Sequence, residues 1–337
     1  MTAKNELIVE VTRGDMVESR HRGACVVVDA AGRTVHAWGD ADRIIYPRSA
    51  IKPLQTLALI ETGAAGGFGL GPGELALASA SHGATPEHVA FVSEWLERIG
   101  LGSGDLECGG HEPMDKDAAK ALARAGETPG PLHNNCSGKH AGFLTTAKHM
   151  DEPTAGYSKP DHPVQQRLLA MLSEMGDADL TSAPRGADGC GIPVIGMPLS
   201  ALALALARMA DPEGLDGDRA DAANRIFAAM TENPRLVAGP RRFDTVAMEA
   251  GKGTFAVKSG AEGVHGAILP ALGLGVALKI DDGSKRAAEV AMAAVLDHLV
   301  VLDGAAKKAM AAFLEAEVAN ASGAKVGVVR MQDGWAD

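Results

Sequence analysis

Ser49 and Lys52 are the residues whose types and spacing point most directly to chemistry. They lie three residues apart in a segment that follows Pro47 and reads as the start of a helix. Residues i and i+3 share one face of a helix, so the hydroxyl and the amine are expected to touch. An uncharged amine in contact with a serine accepts its proton and turns the oxygen into a nucleophile. The chemistry of such a pair is acyl transfer.

The spacing alone does not establish this chemistry, because Ser322 and Lys325 repeat it near the end of the chain. We expect that second pair to lie in a glycine-containing turn before a short strand, where no helix aligns the side chains. The case for Ser49 and Lys52 therefore depends on the polar segments that accompany them.

Composition limits the classes of function. The chain has 337 residues, 46% hydrophobic and 22% charged, with a formal net charge of −11. These values predict a globular protein that forms one domain over residues 1–337, or two closely joined lobes. The negative charge argues against nucleic-acid and anionic-membrane partners. The first residues lack a secretory signal, and Pro193 and Pro198 interrupt the longest uncharged stretch. We therefore expect a cytoplasmic protein with reduced cysteines and no membrane span.

The order of elements predicts an α+β fold, in which strands from both chain ends form one antiparallel sheet beside a helical middle of about residues 47–235. Strands are expected at residues 7–11, 24–29, 34–38, 254–258, 273–280 and 325–331. Helices are expected from Pro47 onward and at residues 86–99, 116–124, 164–175, 199–209, 219–230, 286–302 and 306–318.

Four glycine-flanked polar segments hold an unusual density of reactive side chains. They cover residues 78–83, 133–140, 188–191 and 257–263. Such segments between well-patterned elements are where binding and catalysis usually occur. Each alone also has a structural explanation, since a lone cysteine is often a small buried hydrophobe. Four together favour a functional site.

The motifs resemble those of the asparaginase II family, the rhizobial-type L-asparaginases, over about residues 7–331. The likeness rests on Pro47-Arg48-Ser49-x-x-Lys52-Pro53, Ser81-His82-Gly83, Asn134-Asn135-Cys136-Ser137-Gly138-Lys139-His140 and Asp188-Gly189-Cys190-Gly191. The resemblance implies a fold similar to serine β-lactamases and penicillin-binding proteins, a homodimer, and hydrolysis of L-asparagine to L-aspartate and ammonia.

The resemblance also implies roles for individual residues. Ser49 matches the family's nucleophile and Lys52 its partner lysine, while Ser81 and Lys258 match the second serine and the second lysine. A zinc site beside the catalytic pocket is matched by Cys136, Lys139 and Cys190.

The chemistry explains why two lysines would be useful. A free lysine has a pKa of about 10.4, so it is charged at neutral pH and is not a base. Burial and a second nearby cation both lower that pKa. We therefore expect two Ser-Lys pairs, Ser49 with Lys52 and Ser81 with Lys258, that pass protons between the nucleophile, the leaving ammonia and water.

Asparagine is a zwitterion, so its site needs both a cation and an anion. Arg48 is the candidate for the α-carboxylate, through bidentate pairing, and Asp188 is the candidate for the α-ammonium group. We expect His82, Asn134 and His140 to line the site as hydrogen-bonding groups. An ordinary surface salt bridge remains an open alternative for Arg48.

The zinc expectation rests on the resemblance, because the sequence lacks a Cys-x-x-Cys or His-x-x-x-His spacing. Thiolates are good zinc ligands, whereas a lysine amine must first lose a proton. Three protein ligands and a water would form an open site. Alternatively, these residues bind the polar groups of asparagine directly and the metal is optional.

Three other functions remain open. Read literally, Ser49-x-x-Lys52, Ser81-His82-Gly83 and Lys258-Ser259-Gly260 mimic the three motifs of β-lactamases and D-alanyl peptidases. Self-cleavage before Thr245 would give an N-terminal-threonine amidohydrolase. A non-enzymatic amino-acid-binding regulator would keep the pocket without needing the Ser-Lys pair.

Overall fold

The computed structural model describes residues 6–336. They form two compact units. Unit 1 comprises residues 6–50, 197–211 and 246–336, and unit 2 comprises residues 51–196 and 212–245. Over the described residues, no helix combines the length and the apolar character that crossing a bilayer requires.

An antiparallel sheet forms the framework of unit 1. Its strands are β1 Leu7–Arg13, β2 Met16–Asp29, β3 Thr34–Trp38, β8 Ala256–Ser259, β9 Val264–Leu269, β10 Leu274–Ile280, β11 Ala316–Ala319 and β12 Lys325–Met331. They follow the order β11-β12-β1-β2-β10-β9-β8 across the sheet, and β3 pairs with β2. A separate pair joins β4 Ile44–Ile45 to β7 Met197–Pro198. The predicted α+β class, with an antiparallel sheet built from both chain ends, is confirmed.

The long strand β2 organises this sheet. Its first half pairs with β1, and its second half pairs with β10, from Gly23 opposite Ile280 to Asp29 opposite Leu274. The predicted hairpin with β3 is present, with Cys25 opposite Trp38. The β-branched run Val26–Val28 is buried, which is why this half of the strand was readable from the sequence.

Unit 1 also contains helices, several of which pack on this sheet. They are α8 Leu199–Ala210, α12 Lys285–His298, α13 Gly304–Ala309 and α14 Ala311–Leu314. Helix α11 Phe243–Gly251 begins in unit 2 and ends in unit 1, because this part of unit 1 starts at residue 246. Helix α8 lies so close to β10 that a Cβ on Gly275 would be 2.2 Å from the Ala203 carbonyl oxygen. The predicted helix over residues 306–318 is wrong in its last part, because strand β11 pairs there with β12.

Unit 2 is mainly helical. Its elements are α1 Lys52–Glu61, α2 Ala64–Gly67, α3 Pro72–Ala78, α4 Pro86–Arg98, α5 Lys116–Ala125, α6 Ser137–His149, α7 Pro163–Gly176, α9 Gly217–Glu232 and α10 Pro234–Val237, with a short strand pair of β5 Arg185–Ala187 and β6 Pro193–Ile195. Helix α1 is buried from Lys52 to Leu59, and α6 is buried from Ser137 to Ala147. Both helices therefore lie in the interior of this unit.

Candidate active site

The turn that carries Ser49 has an unusual backbone. Residues Arg48–Ile51 form a 3-10 helix, and α1 begins only at Lys52. The predicted helix start after Pro47 is therefore present, but its first turn is a 3-10 helix. Arg48 has a φ of +51°, in the left-handed region that side chains other than glycine rarely adopt. Such strain persists where the surrounding structure imposes it, and it is common at functional sites.

Within unit 1 this turn packs against the end of strand β8. A Cβ on Gly260 would lie 2.9 Å from the carbonyl oxygen of Pro47 and 3.3 Å from the backbone nitrogen of Ala50. Only glycine permits this close approach. Lys258 precedes it on the strand, is 2% exposed, and donates from Nζ to the carbonyl oxygen of Ser259 at 2.7 Å. A buried lysine and the turn of Ser49 thus share one region of unit 1.

In unit 2, Lys52 lies at the first position of α1 and is 1% exposed. Its Nζ donates to the carbonyl oxygen of Ala80 at 2.5 Å and to Oγ of Ser81 at 3.0 Å. Ser81 follows the end of α3, and its backbone N–H donates to the carbonyl oxygen of Val237. The amine of Lys52 is therefore held against a serine hydroxyl inside the unit.

The surroundings of Lys52 change its basicity. Burial lowers the pKa of its amine from the usual 10.5, and the positive charge of Lys139 lowers it further, whereas Cys136 and Cys190 act in the opposite direction. The net direction is downward, so more of the amine is uncharged than for a solvated lysine. An uncharged amine 3.0 Å from a hydroxyl can act as a base.

Four further side chains of unit 2 form a cluster, which we call the thiol-lysine cluster: Cys136, Lys139, Asp188 and Cys190. Nζ of Lys139 donates to Sγ of Cys190 at 3.0 Å, and the Cys190 thiol lies 3.3 Å from Oδ2 of Asp188. Helix α6 begins directly after Cys136, and the turn between β5 and β6 supplies Asp188 and Cys190. The local folds of these two segments thus bring together residues that lie about fifty positions apart.

The thiol-lysine cluster has a defined pattern of charge. A hydrogen bond from Cys190 and the charges of Lys139 and Lys52 hold the pKa of the Cys136 thiol well below its usual range, against the effect of burial. The hydrogen bond to Cys136 and burial raise the pKa of Cys190. Burial opposes the charge on Lys139, but the neighbouring thiols and Asp188 raise its pKa overall. These shifts favour the thiolate form of Cys136 beside the charged form of Lys139.

The donor set of this cluster fits a zinc ion. One ligand atom each from Cys136, Asp188 and Cys190 lies within 4.8 Å of the other two. Zinc binds thiolates at about 2.3 Å and carboxylate oxygens at about 2.0–2.2 Å, so these donors are of the kind that zinc prefers. Lys139, which the resemblance implies as a further ligand, contacts Cys190 through its amine.

Two residues predicted to line the substrate site make internal hydrogen bonds. His82 Nδ1 accepts from the backbone N–H of Ala84 at 3.1 Å, and its Nε2 donates to Ser137 Oγ at 2.9 Å. Asn134 donates to the carbonyl oxygen of Cys108 at 2.8 Å and accepts from the backbone N–H of Cys136 at 2.9 Å. These bonds position the loops that carry Ser81 and Cys136. Substrate binding by either residue stays a prediction.

His140 is arranged differently, and it identifies a residue that the sequence interpretation missed. It is 0% exposed, and its Nδ1 lies 2.7 Å from the hydroxyl of Tyr157. That hydroxyl accepts from the backbone N–H of Glu107 at 2.8 Å. Tyr157 lies in a polar segment rich in turns, and no local pattern marks it as functional. The one sequence signal was that the chain contains only two tyrosines.

The alternative that depends on Thr245 conflicts with the structure. Thr245 lies within α11 and is 1% exposed. Its hydroxyl donates to the carbonyl oxygens of Gly239 at 2.6 Å and Pro234 at 3.0 Å. A buried threonine inside a helix is poorly placed for self-cleavage.

The predicted site residues are thus distributed between the units. Unit 1 contains Arg48, Ser49 and Lys258, and unit 2 contains Lys52, Ser81, His82, Asn134, Cys136, Lys139, His140, Asp188 and Cys190. Of the predicted groups, unit 2 brings together Lys52 with Ser81, and Lys139 with Cys190. The pairing of Ser49 with Lys52 and of Ser81 with Lys258 stays a prediction.

Comparison with known proteins gives matches in structure and in family. Mglu in its native form is 14% identical with a TM-score of 0.48, over 84% of this chain and 66% of that chain, so this chain spans slightly less than two thirds of its length. A class C β-lactamase from Rhodobacter sphaeroides is 15% identical with a TM-score of 0.42, over 82% of this chain and 95% of that chain. A β-lactamase from Mycobacterium bovis is 12% identical with a TM-score of 0.40, over 86% of this chain and 94% of that chain.

No curated protein sequence matches this chain significantly. The model of the L-asparaginase II family, in contrast, matches residues 9–331. This range includes every predicted site residue, from Arg48 to Lys258. The chain therefore belongs to the L-asparaginase II family.

Proposed function

We propose that this protein hydrolyses L-asparagine to L-aspartate and ammonia by Ser-Lys nucleophilic catalysis. Membership of the L-asparaginase II family supports an amidohydrolase. The observation that carries the proposal is the buried amine of Lys52, held 3.0 Å from Ser81 Oγ with a lowered pKa. Amide hydrolysis needs a group that removes a proton from a hydroxyl at neutral pH, and this amine has the properties of such a base.

In the proposed reaction, Ser49 is the nucleophile and Lys52 accepts its proton. The serine oxygen forms a bond to the side-chain amide carbon of asparagine, and the carbon–nitrogen bond then breaks. The leaving nitrogen takes up a proton and departs as ammonia. Water, deprotonated in turn, adds to the acyl ester, and its cleavage returns the serine hydroxyl and releases aspartate. Ser81 and Lys258 are proposed to pass protons during these steps.

The substrate's charges would be met by two residues. Arg48 is proposed to bind the α-carboxylate and Asp188 the α-ammonium group, with His140 as a hydrogen-bonding partner. A kinetic test follows directly. Arg48→Ala and Asp188→Ala are each expected to raise KM for asparagine, and an unchanged KM in both variants would reject this binding mode.

A zinc ion is proposed as an accessory group, held by Cys136, Lys139 and Cys190 with Asp188 adjacent. When bound, zinc would supply a Lewis acid beside the substrate. Lys139 and Cys190 would both have to lose a proton, so binding is expected to weaken as pH falls. Elemental analysis of the purified protein that finds no zinc, with normal activity after chelation, would reject an essential metal.

The homodimer remains our expectation from the resemblance, and the cytoplasmic location remains our expectation from the sequence. Light scattering of the purified protein measures its oligomeric state. The function itself is tested by ammonia release from L-asparagine, beside L-glutamine, β-aspartyl peptides and nitrocefin. We expect turnover of asparagine by the wild type and its loss in Ser49→Ala and Ser81→Ala. Nitrocefin turnover without asparagine turnover would instead support the β-lactamase alternative.

A further inference from the structure

The hydroxyl of Tyr157 lies between two groups of unit 2. The backbone N–H of Glu107 donates to its oxygen at 2.8 Å, and His140 Nδ1 lies 2.7 Å away. Tyr157 is 0% exposed, and burial raises the pKa of its hydroxyl, so the hydroxyl keeps its proton. A buried O–H group requires an acceptor. Because the Glu107 N–H is itself a donor, His140 Nδ1 is the group that accepts the tyrosine proton.

This direction of donation determines which nitrogen of His140 carries a proton. A ring nitrogen that accepts a hydrogen bond carries no proton, so His140 with an accepting Nδ1 is a neutral imidazole. A neutral imidazole carries one proton, and a nitrogen that accepts a hydrogen bond lacks it. The proton of His140 therefore lies on Nε2.

His140 Nε2 is buried and has no hydrogen-bond partner among residues 6–336. Two other buried histidines of unit 2 differ, because His82 and His88 each use both ring nitrogens in hydrogen bonds. A buried donor without a partner destabilises the folded protein, and a hydrogen bond to a bound acceptor would remove this cost. In the same unit, Lys139 precedes His140 on α6, so this donor lies in the part of the helix that carries the thiol-lysine cluster.

We propose that Tyr157 is a positioning residue that holds His140 in its Nε2–H form, and that this N–H donates to a carboxylate or amide oxygen of the bound amino acid. The identity of the ligand rests on the proposed function, whereas the position of the proton does not. Tyr157 itself acts only through His140.

The proton position is tested by nuclear magnetic resonance on the full chain labelled with 15N-histidine, with His140 assigned by comparison with His140→Gln. The wild type is expected to show the Nε2–H form. Tyr157→Phe keeps the ring but removes the hydroxyl proton, so His140 is expected to become a mixture of both neutral forms. Ser158→Ala is the matched control, because its hydroxyl bonds the Glu107 carboxylate at 2.5 Å in the same loop without touching His140.

Kinetics provide the second measurement. Tyr157→Phe is expected to raise KM for asparagine roughly tenfold while kcat changes by less than about threefold, and Ser158→Ala is expected to change neither. An unchanged KM in Tyr157→Phe would overturn the donor role. A wild-type His140 that is protonated on Nδ1, or on both nitrogens, would overturn the positioning role even if Tyr157→Phe failed to fold.

These outcomes separate this inference from the proposed function. If the wild type shows the Nε2–H form but releases no ammonia from asparagine, the proposed activity fails and the role of Tyr157 stands. The donor is then tested by adding L-aspartate and following the Nε2–H resonance. A shift supports the donor role, and an unmoved resonance at saturating aspartate contradicts it.

Discussion

Lys52 and Lys325 each follow a serine by three residues, but their amines lie in opposite surroundings. Lys52 is 1% exposed and contacts Ser81 Oγ at 3.0 Å. The side chain of Lys325 is 49% exposed and pairs with Glu315 at 3.2 Å. Ser322 bonds Asn320 within its own turn at 2.7 Å. Burial lowers the pKa of a lysine amine, so burial rather than the spacing from a serine would make Lys52 a base.

We expect the largest difference in turnover between variants of Ser49 and Ser322. Ser49→Ala removes the proposed nucleophile, so turnover of asparagine should fall on the order of 10⁴-fold or more. Ser322→Ala should leave turnover unchanged, because its hydroxyl serves only a surface turn. Initial rates of ammonia release measure both variants. Equal activity in Ser49→Ala and the wild type would assign the chemistry to another residue.

Replacing Lys52 should reduce activity far more than replacing Lys325, by nearly as large a factor as for the serines. Lys52→Met removes the proposed base but keeps a long side chain in the buried position, so kcat/KM should fall on the order of 10³-fold. Lys325→Met removes an exposed ion pair of the kind that contributes at most about 1 kcal/mol to stability, so activity should persist. Circular dichroism confirms that both variants fold. Comparable losses in the two variants would remove the distinction between buried and exposed amines.

Two glycines extend the comparison to stability. A Cβ on Gly138 would lie 2.4 Å from the Leu77 carbonyl oxygen, so Gly138→Ala should lower the free energy of unfolding by about 3 kcal/mol. Gly323 has a φ of +83° with no atom within 4 Å of an added Cβ, so Gly323→Ala should cost only about 1 kcal/mol. Urea unfolding measures both. The reverse order would mean that α6 tolerates displacement from α3.

The pH dependence of activity should show the smallest effect. Lys52 must be uncharged to act, so kcat/KM should fall as pH decreases through its folded-state pKa. Because burial lowers that pKa, the rise in rate should level off before pH 10.5 is reached. The pH profile between the stability limits of the protein tests this. A rate that continues to rise up to the ordinary lysine pKa would indicate a solvated base.

Much of the framework could be predicted because local patterns determine it. Strand β12 was expected at residues 325–331 and occupies Lys325–Met331. Helix α6 was missed, because it is buried on all sides and so has no amphipathic period, and because Gly138 near its start resembles a loop residue. The local pattern of β11 predicts a helix, because the pairing with β12 that stabilises the extended form is not visible in the local sequence.

The candidate site also has features that the sequence predicts and contacts that it does not. Residue types and spacing pointed to Lys52 and to the polar segments, and the resemblance pointed to Ser81 and the two cysteines within them. Neither showed which of these side chains touch. The contact between Lys139 and Cys190 joins residues 51 positions apart, and no local pattern indicates it. Asp188 was assigned to the substrate's ammonium group, and its carboxylate also lies 3.3 Å from Cys190. The role proposed for Tyr157 depends on its contacts with Glu107 and His140, which no local sequence pattern indicates.

The proposed chemistry requires that the amine of Lys52 lose its proton more easily than that of an ordinary lysine. Titration of the lysine side chains by nuclear magnetic resonance measures this, with Lys52 and Lys325 identified from their methionine variants. We predict that Lys52 titrates below the usual pKa of 10.5 and below Lys325 in the same sample. Titration of the two lysines together, at the value of a solvated amine, would contradict it.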